Sequence, residues 1–126
     1  MSTGHRYPKL RLISRWQNSA GERVRIALRL KGLDCEYVPV GTLAPGVYRK
    51  LNPQGLLPAL DVGGRIVAQS SAILEYLEET YPDPALLPTD PVTRAEARAF
   101  AAHIASEMHA ITVRRIRRYL ETDLDV

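Results

Sequence analysis

The chain has 126 residues, 45% of them apolar and 25% charged, which is the make-up of one globular domain with little left over rather than of a disordered segment. No apolar stretch approaches the ~20 residues of a membrane span, and the opening MSTGHRYPKL has no apolar core of a secretory signal. The single cysteine, Cys35, excludes an internal disulfide framework and any multi-cysteine zinc or redox motif, so a cytoplasmic protein without a metal centre is expected. The net charge of +3 is mild but uneven: residues 1–34 carry eight Lys/Arg against two acids, and residues 35–90 carry three against seven. That mixture is not the one-signed footprint of a nucleic-acid binder, and it favours a small anionic ligand near the N-terminal segment.

In chain order, residues 9–15 (KLRLISR) alternate and predict a strand, and WQNSAGER reads as a polar turn. Val24, Ala27 and Leu28 recur at helical spacing across residues 23–31, closed by Gly32. Residues 35–40 (CEYVPV) predict a second strand, at a sheet edge because Pro39 cannot donate to a ladder. A short helix is expected over residues 47–51, then two strands joined at Gly63-Gly64, a hairpin signal. Residues 70–79 predict a helix with Ile73, Leu74 and Leu77 buried and Glu75, Glu78 and Glu79 facing water. Four prolines stiffen residues 81–91. Asp90-Pro91 is an N-cap followed by proline at the first helical position, opening one long helix to about Leu120. The resulting order, β-α-β-α-β-β-α, is a mixed-sheet α/β domain over residues 1–80, with a linker over 81–90 and an α-helical segment over 91–126. Phe100, Ile104, Met108 and Ile111 form a helical stripe with no partner helices in the chain, which predicts self-association. Arg114, Arg115, Arg117 and Arg118 read as a solvated helix face.

Three short motifs can carry chemistry. Asn18-Ser19-Ala20-Gly21-Glu22 lies between the first strand and first helix. Ser19 with Glu22 three residues on is a capping-box pattern, which is sufficient to explain the serine; the same geometry favours an anion or thiolate at a helix N-terminus. In Asn52-Pro53-Gln54-Gly55-Leu56-Leu57-Pro58, Pro58 opens a strand and is a candidate cis bond, trans being the commoner form. Gln69-Ser70-Ser71 precedes a helix; Ser70 is a good N-cap, or else part of a carboxylate site with the Gln69 amide.

ERVRIALRLKGL, LNPQGLLPAL and VAQSSAILEYLEETYPDPALLPTDPVTRAEAR, in this order and spacing, resemble the cytosolic glutathione transferases, and within them the zeta class that includes the maleylacetoacetate isomerases. The resemblance covers residues 9–125 and implies a thioredoxin-like first domain with glutathione as cosubstrate. It implies that Asn18 and Ser19 face the glutathione sulfur. Leu57, before a cis Pro58, would pair its backbone with the cysteinyl segment, and Gln69 and Ser70 would hold the γ-glutamyl carboxylate. The implied reaction is thiol activation, then attack on a small electrophile or addition to a conjugated double bond, rotation and elimination. Asn18-Ser19-Ala20 stands where the zeta class writes Ser-Ser-Cys, so the first serine is replaced by an amide, itself a donor. SEMHAITVRRIRRYL resembles a segment that shapes the substrate pocket: Met108, His109 and Ile111 fit, while Ala110, Thr112, Val113 and Arg114 depart. Trp16, Met108, His109 and Thr112 are thereby pocket candidates, with simple packing or exposure the competing reading for Trp16 and His109. The resemblance further implies a homodimer acting on a small electrophile, without nucleic acid or membrane. Family members continue into several more helices, so the chain reads as stopping after the first helix of an incomplete all-α domain. The competing function is a non-catalytic glutathione-binding or dimerisation module of the same fold.

Overall fold

The computed structural model describes residues 7–126 and divides into two compact units, one running to Leu86 and the other from Leu87 to Val126. The first unit is built on a four-stranded sheet in the order β2-β1-β3-β4, from β1 (Leu10–Ser14), β2 (Glu36–Pro39), β3 (Ala59–Val62) and β4 (Arg65–Ala68). β1 and β2 run parallel, whereas β1–β3 and β3–β4 are antiparallel. β2 is an edge strand, as Pro39 requires, and Gly63 and Gly64 take φ of 58° and 94° in the two-residue turn between β3 and β4.

Side-chain alternation splits the core into two layers. Leu10, Leu12 and Leu60 pack with Val24, Ala27 and Leu28 of α1 (Ser19–Leu30) and with Ile73 and Leu77 of α3 (Ser70–Thr80). On the opposite face, Ile13, Val38 and Ala59 pack with Tyr48 of the short α2 (Val47–Leu51). The β-α-β-α-β-β-α order is the expected one, with α1 and α3 on one side of the sheet and α2 on the other.

Two helix starts differ from the sequence reading. α1 begins at Ser19, inside the segment read as a turn, because Asn18 rather than Ser19 is the N-cap: its Oδ1 accepts from the Gly21 N–H at 2.6 Å. The Glu22 N–H donates to the Asn18 carbonyl at 2.8 Å, and the Glu22 carboxylate pairs with Arg25 one turn on. Likewise α3 is preceded by Gln69, and Ser70 is its first residue rather than its cap.

Glu78 is buried at 6% exposure and does not face water, because Lys31 lies beneath it with a fully buried side chain and their charged atoms 2.8 Å apart. The Lys31 ammonium also donates to the Tyr81 carbonyl at 2.7 Å and the Pro84 carbonyl at 2.8 Å, so all three of its protons are used. Glu78 in turn accepts from the Leu86 N–H. The pair thus ties the proline-rich stretch to α1 and α3.

In the second unit the Asp90 cap and the N1 position of Pro91 are as expected: Thr93 donates from both N–H and hydroxyl to Asp90 Oδ2 at 2.8 Å. These bonds hold the Asp90 carboxyl below the ordinary aspartate range. The long helix is not continuous. α4 (Pro91–Ala102) passes through a π-helical turn (His103–Met108) into α5 (His109–Thr112), and Val113 is extended at φ −66°, ψ 150° before α6 (Arg114–Asp123). The β-branched run Ile111-Thr112-Val113 weakens the helix, and the Thr112 hydroxyl bonds back to the Met108 and His109 carbonyls. Four arginines crowded into the first turns of α6 add like-charge repulsion. Among the described residues from Leu87 onward none is buried, and Phe100 and Ile111 are 70% and 67% exposed. No helix among the described residues is long and apolar enough to cross a membrane.

Candidate functional site

The strand register gathers the three motifs. Ile13 pairs with Ala59 and Ala59 with Ala68, so the end of β1, the start of β3 and the end of β4 lie at one end of the sheet. The next residues outward are the Arg15–Asn18 loop, Leu57-Pro58 and Gln69-Ser70. Two long helices, α1 and α3, therefore begin at this end, each with its N-terminal N–H groups and positive dipole end.

At α1, Asn18 is half-buried and Ser19 exposed. The Glu22 N–H donates to the Asn18 carbonyl at 2.8 Å and the Gly21 N–H to its side-chain oxygen, so the oxygen of the Asn18 amide is committed to capping and its –NH2 is the end that can address a ligand. The N–H groups of Ser19 and Ala20 precede both bonds. An anion there gains from the dipole and from two donors, Asn18 Nδ2 and the Ser19 hydroxyl.

The Leu57–Pro58 peptide is cis and precedes the first ladder pair of β3. Leu57 is half-buried and Pro58 fully buried. The loop that carries them is held from below by two side chains the sequence reading passed over. The Tyr48 hydroxyl donates to the Leu56 carbonyl, and buried Asn52 donates from Nδ2 to that same carbonyl at 2.9 Å and to Tyr48 Oη at 3.3 Å. Burial pushes the Tyr48 phenol above its ordinary pKa. Gln54, in the same loop, accepts at 2.8 Å from the Gln69 side chain and so links the loop to the start of α3.

At α3, Gln69 sits at φ 72°, a conformation costing on the order of 1–3 kcal/mol for a non-glycine residue. Its side chain does not cap the helix. The first intrahelical bond is Ile73 N–H to the Gln69 carbonyl at 3.0 Å, so the N–H groups of Ser70, Ser71 and Ala72 precede it. Ser70 is buried, and its Oγ accepts from Arg23 Nη1 of α1 at 3.2 Å. Sequence reasoning missed Arg23; its polar face on an otherwise core-facing helix was the available signal.

The remaining candidates lie elsewhere. Trp16 is 75% exposed rather than packed in the core, with the Arg25 guanidinium 4.4 Å from its ring centroid. It borders a groove of about 360 Å³ between α1 and β2 that none of the other candidate residues line. Met108 closes the π-helical turn, His109 opens α5 and Thr112 ends it. Met108 and Thr112 are exposed and His109 half-buried, all three in the second unit. Among the described residues no cluster of three His, Cys, Asp or Glu could hold a metal ion. Cys35 is remote from both helix starts, and burial pushes its thiol up to about 11, the opposite of a reactive cysteine.

The four-stranded mixed sheet, with α1 and α3 on one face and α2 on the other, is the thioredoxin-like arrangement of a glutathione transferase N-terminal domain. The family model for the glutathione S-transferase N-terminal domain matches residues 18–85, and the chain belongs to that family. Its relatives include zeta-class glutathione transferases and maleylacetoacetate isomerases. It is 44% identical over 115 residues to a maleylpyruvate isomerase of a Ralstonia species, covering 88% of this chain and 54% of that protein. It is 41% identical over 122 residues to glutathione S-transferase Z1 of Arabidopsis thaliana, covering 94% and 55%. The maleylacetoacetate isomerase of Methylobacterium extorquens AM1, solved with bound malonate and glutathione, superposes with a TM-score of 0.84 at 40% identity, over 92% of this chain and 56% of that one. The chain spans about half the length of the curated relatives it matches.

Proposed function

We propose that this chain binds glutathione at the sheet end defined by Asn18, Leu57 and Ser70 and activates its thiol, for attack on a small electrophile or for cis–trans isomerisation of a conjugated acid. The observation that carries this reading is the register that brings two helix N-termini and the Leu57–Pro58 cis peptide to one place. The residues suit an extended peptide with a thiol and a carboxylate. Asn18 Nδ2 and the Ser19 hydroxyl donate to a thiolate, lowering its pKa with the help of the α1 dipole. The backbone of Leu57 pairs with the peptide as an added strand. The N–H groups at the start of α3, with Ser70 and the Gln69 amide, receive the carboxylate. Glutathione supplies the nucleophilic sulfur that adds to the electrophilic carbon and, in an isomerisation, leaves again.

In this reading the segment to residue 80 is the glutathione-binding domain and residues 91–126 begin an α-helical domain. The candidates for contact with the second substrate are Trp16 in the first unit and Met108, His109 and Thr112 in the second. The exposed stripe of Phe100, Ile104, Met108 and Ile111 supports self-association as a homodimer or larger assembly, and the lone cysteine suits a cytoplasmic setting. A second reading, glutathione binding without turnover, is favoured by Asn18: its oxygen is already spent on the α1 cap, and it replaces a hydroxyl by a weaker acid.

Calorimetric titration with reduced glutathione tests the site. Binding between micromolar and millimolar, weakened by Ser70→Ala, supports it. The ultraviolet absorbance of the bound thiolate, followed against pH, then separates the two readings. A thiol pKa lowered by a unit or more and partly restored upward in Ser19→Ala supports activation. An unshifted thiol supports the binding module, and no heat at several millimolar from folded protein refutes both.

A further inference from the structure

Ser70 is the first residue of α3, 6% exposed, and its hydroxyl has one proton and two lone pairs. Within a helix a serine commonly returns its proton to the carbonyl three or four residues back. For Ser70 those residues are Ile66 and Val67, which belong to strand β4, so no helical carbonyl is there to receive it. One lone pair is taken by Arg23 Nη1 at 3.2 Å, a contact between residues 47 apart in sequence. A guanidinium donates and cannot accept, so this contact turns the Ser70 proton away from α1. The space ahead of the Ser70, Ser71 and Ala72 N–H groups is where it can then be delivered.

We infer that Arg23 is a positioning residue for the carboxylate end of the peptide ligand; this rests on the glutathione reading above. It acts in two ways. It fixes the Ser70 rotamer and the direction of its O–H, making that hydroxyl a donor toward an anion. It also adds a fixed positive charge behind a helix N-terminus that already favours negative charge. Arg23 stands one turn into the helix whose cap, Asn18, and first residue, Ser19, are assigned to the thiol end. The same helix thus serves both ends of the ligand, and the two are separable by mutation because the Arg23 hydrogen bond goes to Ser70, at the carboxylate end.

The test compares glutathione with its decarboxylated analogue, 4-aminobutanoyl-cysteinyl-glycine, by calorimetry on the full chain. Arg23→Met is expected to weaken glutathione about tenfold or more, the usual loss for one charge-assisted hydrogen bond, and to leave the analogue within about twofold. The pKa of the bound thiol stays where it is in the unaltered protein. Arg23→Lys, which keeps the charge, recovers part of the loss, and Arg23→Met costs less in a Ser70→Ala background than it does alone, only the charge effect being left to lose. Equal weakening of both ligands, or no weakening of either, overturns the inference while leaving glutathione binding standing. Failure of the unaltered chain to bind glutathione overturns the function and this inference together. Should Arg23→Met lose its circular dichroism signal, Ser70→Ala carries the test: it must weaken glutathione and spare the analogue, and any other pattern refutes the assignment.

Discussion

Replacing Lys31 by methionine is expected to be among the most costly single changes in the first unit. The side chain is fully buried, with its ammonium 2.8 Å from Glu78 Oε2 and bonded to the carbonyls of Tyr81 and Pro84. Methionine refills most of the volume of the aliphatic stem, so the loss is electrostatic rather than a cavity. Breaking a buried pair by removing one partner costs about 3–5 kcal/mol, because the surviving charge is left in low dielectric. Here that charge is the Glu78 carboxylate, 6% exposed, which keeps the Leu86 N–H among its donors. The Tyr81 and Pro84 carbonyls lose a donor as well. We expect about 3–4 kcal/mol, a large part of the 5–15 kcal/mol typical of a folded domain. Urea unfolding followed by circular dichroism measures it. The double variant Lys31→Met/Glu78→Leu removes both charges and is expected to be far less destabilised than the two single losses added together. A cost below about 1 kcal/mol for Lys31→Met, or additivity in the double variant, refutes the view of a mutually dependent buried pair.

A Cβ on Gly21 would lie 2.2 Å from Ser14 Oγ and 3.0 Å from Asn18 Oδ1, so Gly21→Ala should lower the melting temperature. The overpacking cost of ~1–3 kcal/mol exceeds the ~1 kcal/mol gain in helix propensity. Adding Ser14→Ala removes the nearest clash and should recover much of the loss. The Cys35 thiol, at about 11 against an ordinary 9.0, should react with iodoacetamide about a hundredfold more slowly at pH 8 than a free cysteine, because the thiolate fraction falls tenfold per unit. A rate within threefold of the free thiol contradicts that burial. Asp90 is held below its unfolded pKa by Thr93, so its contribution is complete above the ordinary aspartate range and is lost as pH falls through the folded value. Asp90→Ala should therefore reduce helicity in α4 at neutral pH, and the difference from the unaltered protein should vanish in acid.

Element order, the β2 edge and the Gly63-Gly64 hairpin were legible because they depend on local chemistry: periodicity, a proline without N–H, glycines in a two-residue turn. The candidate site was legible as three separate motifs, whose types pointed to an anion or thiolate at one helix start and a carboxylate at another, and the family resemblance implied the peptide that would carry both. What was misread depended on competition among neighbours. Asn18 and Ser19 are both good caps, and only the packing of α1 against β1 decides which of them lies outside the helix. Glu78 has the sequence signature of a solvated residue, and it is buried because Lys31, 47 positions earlier, is placed beneath it by the pairing of α1 with α3. The start of the long helix was legible from its cap, yet a π-helical turn over His103–Met108 interrupts its apolar period, and the β-branched run ending at Val113 with the arginines after it breaks the backbone.

Sequence alone determined which segments would be strand or helix and which residue types could meet a thiol or a carboxylate, since these rest on contacts within a few residues. The tertiary structure decided which of them meet: the β1–β3 register that brings the first-helix motif to the other two, the Arg23–Ser70 bond and the Lys31–Glu78 pair all join residues some 45 or more apart. Such pairings depend on how whole elements stack, and no local periodicity encodes the distance between them.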